Sequence, residues 1–164
     1  MKNYILAIFI ASLLGCASVI PNIEPVTGEV ASLIVEREDE SKDNLYIKAN
    51  SWAVDTFVSA ESVIEFQDKE AGVIKGKYLI EIVNGIYYLD IKTTITIQAK
   101  DNRCRILLTD PLMRFTGDVL NGTYRYSKPY NPINTQAVLD QSKSHWDKLI
   151  ISFKQAMEKE IPSW

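Results

Sequence analysis

The chain has 164 residues, long enough for one domain that buries a real core. With 46% apolar and 24% charged residues it has the balance of a globular domain, and a net charge of −3 excludes the basic footprint of a nucleic-acid binder. Two cysteines and one histidine exclude a disulfide framework and a Cys- or His-rich metal site.

Lys2 precedes an apolar run from Ile5 to Leu14. At roughly ten residues the run has the length of a signal-peptide h-region. It is too short to span a hydrocarbon core about 30 Å thick. The run ends in Leu13-Leu14-Gly15-Cys16, which resembles the lipobox of bacterial lipoproteins. That resemblance implies cleavage between Gly15 and Cys16 and acylation of the new N-terminal cysteine. Each buried acyl CH₂ contributes about 0.8 kcal/mol, so two or three chains hold a domain firmly on a bilayer. The other reading is an ordinary secretory signal in which Cys16 plays no part. Ala17 is not the aspartate associated with inner-membrane retention in some bacteria, so the outer membrane is the expected address.

Residues 16–29, with Pro21, Pro25 and Gly28, read as the lipidated cysteine and a flexible tether, and residues 30–164 as one domain. Val30 to Glu36 is the first expected strand. Ser41 fits an N-cap, with Asp43 in the first turn where the helix dipole favours a negative charge. Leu45, Ala49, Trp52, Ala53 and Phe57 recur at helical spacing, predicting a helix over 41–58. A strand over 62–67 follows, with Ile64 and Phe66 inward. Asn84-Gly85 is a hairpin signal. A two-residue turn there puts Ile82 opposite Tyr87, Ile80 opposite Leu89 and Tyr78 opposite Ile91. A second turn at Asp101-Asn102 puts Ala99 opposite Cys104, Ile97 opposite Ile106 and Ile95 opposite Leu108. Both turns give one apolar face, and a one-residue slip would invert it. Pro111 argues for a break or an edge. Residues 118–133 form a long connection. A last helix runs from about Asn134 to Glu160, with Val138, Ser142, Trp146, Leu149, Ile150, Phe153 and Met157 along one side. The expected class is α+β: a five-stranded antiparallel sheet with two helices on one face, in the order strand, helix, four strands, helix.

Ser41-Lys42-Asp43-Asn44-Leu45-Tyr46, Trp52-Ala53 and Phe66-Gln67-Asp68-Lys69-Glu70-Ala71-Gly72-Val73-Ile74-Lys75-Gly76 resemble the bacterial domain of unknown function 4468 family. The resemblance covers about residues 31–116. It implies a TATA-binding-protein-like fold and a secreted or lipid-anchored envelope protein, and it brings no catalytic residues. The fold name refers to shape and does not imply DNA binding.

Three places are candidate sites. The outward sheet face carries Lys75, Lys77, Lys92, Arg103 and Arg105, together with Glu65, Glu81, Asp90, Tyr88, Thr94, Thr96 and Gln98. Lys77 is expected opposite Lys92. Such a face would meet anionic headgroups, polysaccharide or an acidic partner, or would simply be solvated. The long connection brings Tyr124, Tyr126 and Tyr130 near Arg125 and Lys128, a composition common at interfaces. The loop Asp68-Lys69-Glu70-Ala71-Gly72 has two acidic residues, and turn chemistry suffices to explain it. His145 lacks a carboxylate motif, and Cys104 alternates inward as a buried thiol. No nucleophile–base pair, cofactor motif or metal site stands out. The expected role is a non-enzymatic binding or assembly module of the envelope. Its partners are the membrane, through the anchor, and an envelope protein or glycan. The alternatives are an envelope enzyme using Asp68 and Glu70, and an accessory subunit that pairs through a sheet edge.

Overall fold

The computed structural model describes residues 22–57, 63–118, 120 and 128–160. The elements are β1 (Glu29–Glu36), α1 (Lys42–Thr56), β2 (Val63–Asp68), β3 (Val73–Asn84), β4 (Tyr87–Lys100), β5 (Arg103–Asp118), β6 (Asn131–Pro132) and α2 (Gln136–Glu158). All pairings are antiparallel, in the order β1-β5-β4-β3-β2, with β6 also on β5. The sheet therefore has six strands where five were expected, the sixth being the two-residue β6.

The β4–β5 turn has the expected register: Ala99 faces Cys104, Ile97 faces Ile106 and Ile95 faces Leu108. The β3–β4 hairpin differs by two residues. Asn84 pairs with Tyr87, so the loop is Gly85-Ile86, and Ile82, Ile80 and Ile74 face Leu89, Ile91 and Ile97. Gly85 has φ +61° and Ile86 does not enter the positive region, which suits a turn with glycine at its first central position. A shift of two keeps every side chain on its face. Ile74, Ile82, Ile91, Ile95, Ile97, Ile106 and Leu108 are accordingly all buried.

The pairings carry four register shifts, at Glu29/Ala31, Ile64/Phe66, Tyr88/Leu89 and Lys92/Thr94, and two of them bear on the expected side-chain directions. The β2–β3 register slips between Ile64 and Phe66, so Ile64 faces Gly76 and Phe66 faces Lys75. The extra residue reverses the alternation. Ile64 packs against the core, while Phe66, expected inward, is 50% exposed. In β5, Pro111 does not end the strand. Asp110 takes φ +50°, its N–H donates to the Gly28 carbonyl at 2.9 Å, and its Oδ1 accepts from Gly28 N–H at 2.8 Å. Here one edge of β5 passes from β1, whose pairing stops at Thr109, to β6, which pairs from Leu112. A residue without an N–H fits that handover.

Both helices cover the same face. Ser41 caps α1, its Oγ accepting from Asn44 N–H at 3.3 Å, and Asp101 Oδ1 accepts from Lys42 N–H at 2.8 Å. Val138, Ser142, Trp146, Leu149, Phe153 and Met157 form the buried stripe of α2, with Ile150 half-buried beside it. Trp146 Nε1–H donates to the fully buried Thr93 Oγ1 at 3.1 Å, satisfying both polar groups inside the core. Between the helices, Trp52 and Phe153 meet edge to face with ring centres 5.1 Å apart. No helix among the described residues is long and apolar enough to cross a membrane.

Part of the expected tether is structured. Asn22 bridges Thr135, Ile23 N–H donates to Asn134 O, and Val26 N–H donates to Ile133 O, the last two at 2.8 Å. The remainder of residues 16–29 before Asn22, with Gly15 and Cys16, lies outside the described residues.

Candidate functional site

With both helices on one side, the other side of the sheet is not covered by a helix among the described residues. Alternation along β3, β4 and β5 directs Lys75, Lys77, Lys92, Arg103 and Arg105 to this side, as expected. Their neighbours differ from expectation. Because the hairpin register is shifted, Lys77 faces Thr94, not Lys92, and its Nζ donates to Thr94 Oγ1 at 2.7 Å. Lys92 lies between Leu79 and Leu112. The predicted like-charge pair therefore does not form.

The cations separate into two groups. At the β6 end, Tyr130 meets Lys92, whose Nζ lies 3.8 Å from the ring centre, and Arg114, whose Cζ lies 4.6 Å from it. Arg114 also forms an ion pair with the largely buried Asp90. Both cations sit over the π face, where the ring quadrupole attracts them. One tyrosine of the connection is thus joined to the sheet face. Tyr124 and Tyr126 lie outside the described residues. Arg114 was not among the expected site residues. The bulge at Asp110-Pro111 conceals it, because alternation counted straight from Arg105 gives the wrong parity beyond that point.

At the opposite end of β5, Lys100, Arg103 and Arg105 line a depression of ≈ 230 Å³ together with Ile34 and Gln98. Ile34 is 52% exposed. Arg105 is within 3.4 Å of Glu29, and both are well exposed.

The remaining candidates have structural explanations. Asp68 Oδ1 accepts from Ala71 N–H at 2.9 Å, and Lys42 Nζ donates to the Glu70 carbonyl at 2.8 Å, so this loop is a turn docked on α1. Gly72 has φ +69°, and a Cβ there would lie 2.4 Å from Ala99 O. No group of three His, Cys, Asp or Glu among the described residues is placed to hold a metal ion. Burial pushes the Cys104 thiol up to about 12, only partly opposed by a backbone hydrogen bond from Arg105, so it is no nucleophile at neutral pH. His145 borders a shallow dent beside Glu81, Gln141 and Ser144. A larger groove of ≈ 560 Å³ separates α1 and α2. Within it Trp52 Nε1–H donates to Ser152 Oγ at 2.9 Å, and Lys48 is paired with Glu40.

Residues 32–113 match the family described as a domain of unknown function (DUF4468) with TBP-like fold. The chain belongs to this family. Among solved structures, this DUF4468 chain is similar to a TBP-like protein from Parabacteroides distasonis ATCC 8503. The TM-score is 0.63 at 20% identity, over 80% of this chain and 93% of that one. It is also similar to a DUF4468 family protein from Bacteroides ovatus ATCC 8483, with a TM-score of 0.58 at 15% identity over 88% and 93% of the two chains. Identities this low establish likeness of fold alone. Comparison with curated proteins gives no match.

Proposed function

We propose that this DUF4468 protein is a lipid-anchored protein of the bacterial cell envelope, and that its open sheet face is the contact surface of a binding or assembly module. The observation that carries the binding role is the asymmetry of the sheet. Two helices cover one face, and the other presents cations, threonines and the cation-bound Tyr130 on a surface built of strands. A surface built on strands holds its groups in fixed geometry, which favours recognition over flexible adhesion. The cations suit an acidic envelope protein or an anionic glycan. The anchor rests on Leu13-Leu14-Gly15-Cys16, with the outer membrane as its address.

The intact mass of protein extracted from membranes of its own host tests the anchor. A mass starting at Cys16 with added acyl chains is expected, and an unmodified chain starting elsewhere would overturn it. Photo-crosslinkers placed at Lys75 and Thr96 in living cells test the face. A discrete adduct is expected from these positions and not from exposed Lys148 on α2. Capture only from the helical side would overturn the face.

A further inference from the structure

We propose that the depression at the Arg103 end of the open face is a binding site for a phosphate-ester group; the proposal rests on the reading of that face as the contact surface. Lys100, Arg103 and Arg105 converge on one small depression from two adjacent strands. Lys100 and Arg103 are directly opposite each other, a like-charge pairing that costs folding energy. Neither has a carboxylate within ion-pair distance among the described residues, and Glu36, the cross-strand neighbour of Arg103, does not reach it. Only Arg105 is shared, with Glu29 at 3.4 Å. The structure therefore holds repelling cations together without an internal counter-ion for two of them.

The frame around them is fixed. The Asp101-Asn102 turn is pinned by Asp101 accepting from Lys42 N–H at 2.8 Å. Asn102 N–H donates to Glu40 O at 2.8 Å, and Arg37 N–H donates to Asn102 O at 2.7 Å. A compact dianion matches three cations better than a single carboxylate does, and two guanidiniums offer forked donors to its oxygens. Gln98 adds an amide, and half-exposed Ile34 gives an apolar wall for the organic part of the ester. The volume is below the roughly 300–1,000 Å³ of drug-sized sites, so the group is small.

The test uses the chain from Ala17, which omits the acylated cysteine, with inorganic phosphate titrated against acetate at matched ionic strength and followed by NMR. Phosphate is expected to shift Gln98, Lys100, Arg103 and Arg105, and acetate is not. Arg103→Gln should weaken binding about tenfold, the worth of one charge-assisted hydrogen bond. Glu29→Gln should tighten it several-fold by releasing Arg105, a gain that general surface charge would not concentrate at this site. Thermal melts of both variants check that the fold is kept. Phosphatidylcholine vesicles with and without phosphatidic acid identify the source. Binding of phosphate and of phosphatidic acid vesicles, both lost in Arg103→Gln, supports a lipid headgroup. Phosphate binding without vesicle binding supports a soluble or glycan phosphate. No response to phosphate, or one unchanged in Arg103→Gln, overturns the site. Crosslinking at Lys75 and Thr96 would still stand in that case, so the site and the face fail separately.

Discussion

At the scale of single residues, space and charge decide outcomes that residue type alone leaves open. Gly72 and Gly85 share a positive φ, but only Gly72 has backbone packed where a Cβ would go. Gly85→Ala should cost about 1 kcal/mol, from the left-handed conformation. Gly72→Ala should cost about 3 kcal/mol, because Ala99 O must also move. Urea denaturation of the two variants reads the difference. Tyr130→Ala should lose about 1 kcal/mol by the same assay as Lys92 and Arg114 lose their ring. Cys104 titrates at about 12 in the folded chain, against an ordinary value of 9.0. Its thiol should resist alkylation until the protein unfolds. The unfolded chain releases this proton first as pH rises. The stability tied to it is therefore whole below about 9 and is lost towards about 12, with Tyr46 and Tyr78, also raised by burial, acting in the same direction. Denaturation curves across that range should flatten in Cys104→Ala.

At the scale of elements, alternation and turns made most of the sheet legible. The stripe of α2 and the cap of α1 were read correctly, because periodicity and an N-cap serine leave a direct mark on composition. The β4–β5 register was also right, since a two-residue loop leaves one solution there. Bulges leave no such mark. One extra residue at Glu65 turns Phe66 outward, and another at Asp110 re-aims Leu112 to Phe115, until the next shift at Thr116, which is why Arg114 was missed. The two-residue β6 has no pattern long enough to detect. Of the candidate site, the five sheet cations were legible from parity. Their division into two groups, and the seating of Tyr130, depend on contacts between distant segments. The Phe66 reversal has a simple check: Phe66→Thr should change stability by no more than about 0.5 kcal/mol, whereas Ile64→Ala should cost at least about 2 kcal/mol. Equal costs in thermal melts would mean that Phe66 is packed.

At the scale of the whole molecule, one ion-pair network joins parts far apart in the chain. Glu40, in the loop before α1, pairs with Lys48 of α1 and with Arg37 after β1, and Lys48 Nζ donates to the Met157 carbonyl at the end of α2. Burial alone would push the Glu40 carboxyl up, but hydrogen bonds and charges from Lys48 and Arg37 outweigh it and hold the carboxyl below 4.5. A depressed carboxylate adds stability above its unfolded value and gives it up as pH falls through the folded one. Acid unfolding should thus begin below about pH 4.5 and lose part of its pH dependence in Glu40→Gln. That variant should also be about 3 kcal/mol less stable at neutral pH, because buried Lys48 loses its counter-charge. The backbone contacts that tie Asn22 to Thr135 and Val26 to Ile133 set a different kind of limit. If acyl chains sit on Cys16, only the six peptide steps to Asn22 remain as leash, at most about 20 Å when fully stretched. The domain would then ride close on the bilayer like a moored boat, with the Asn22 end nearest the lipid.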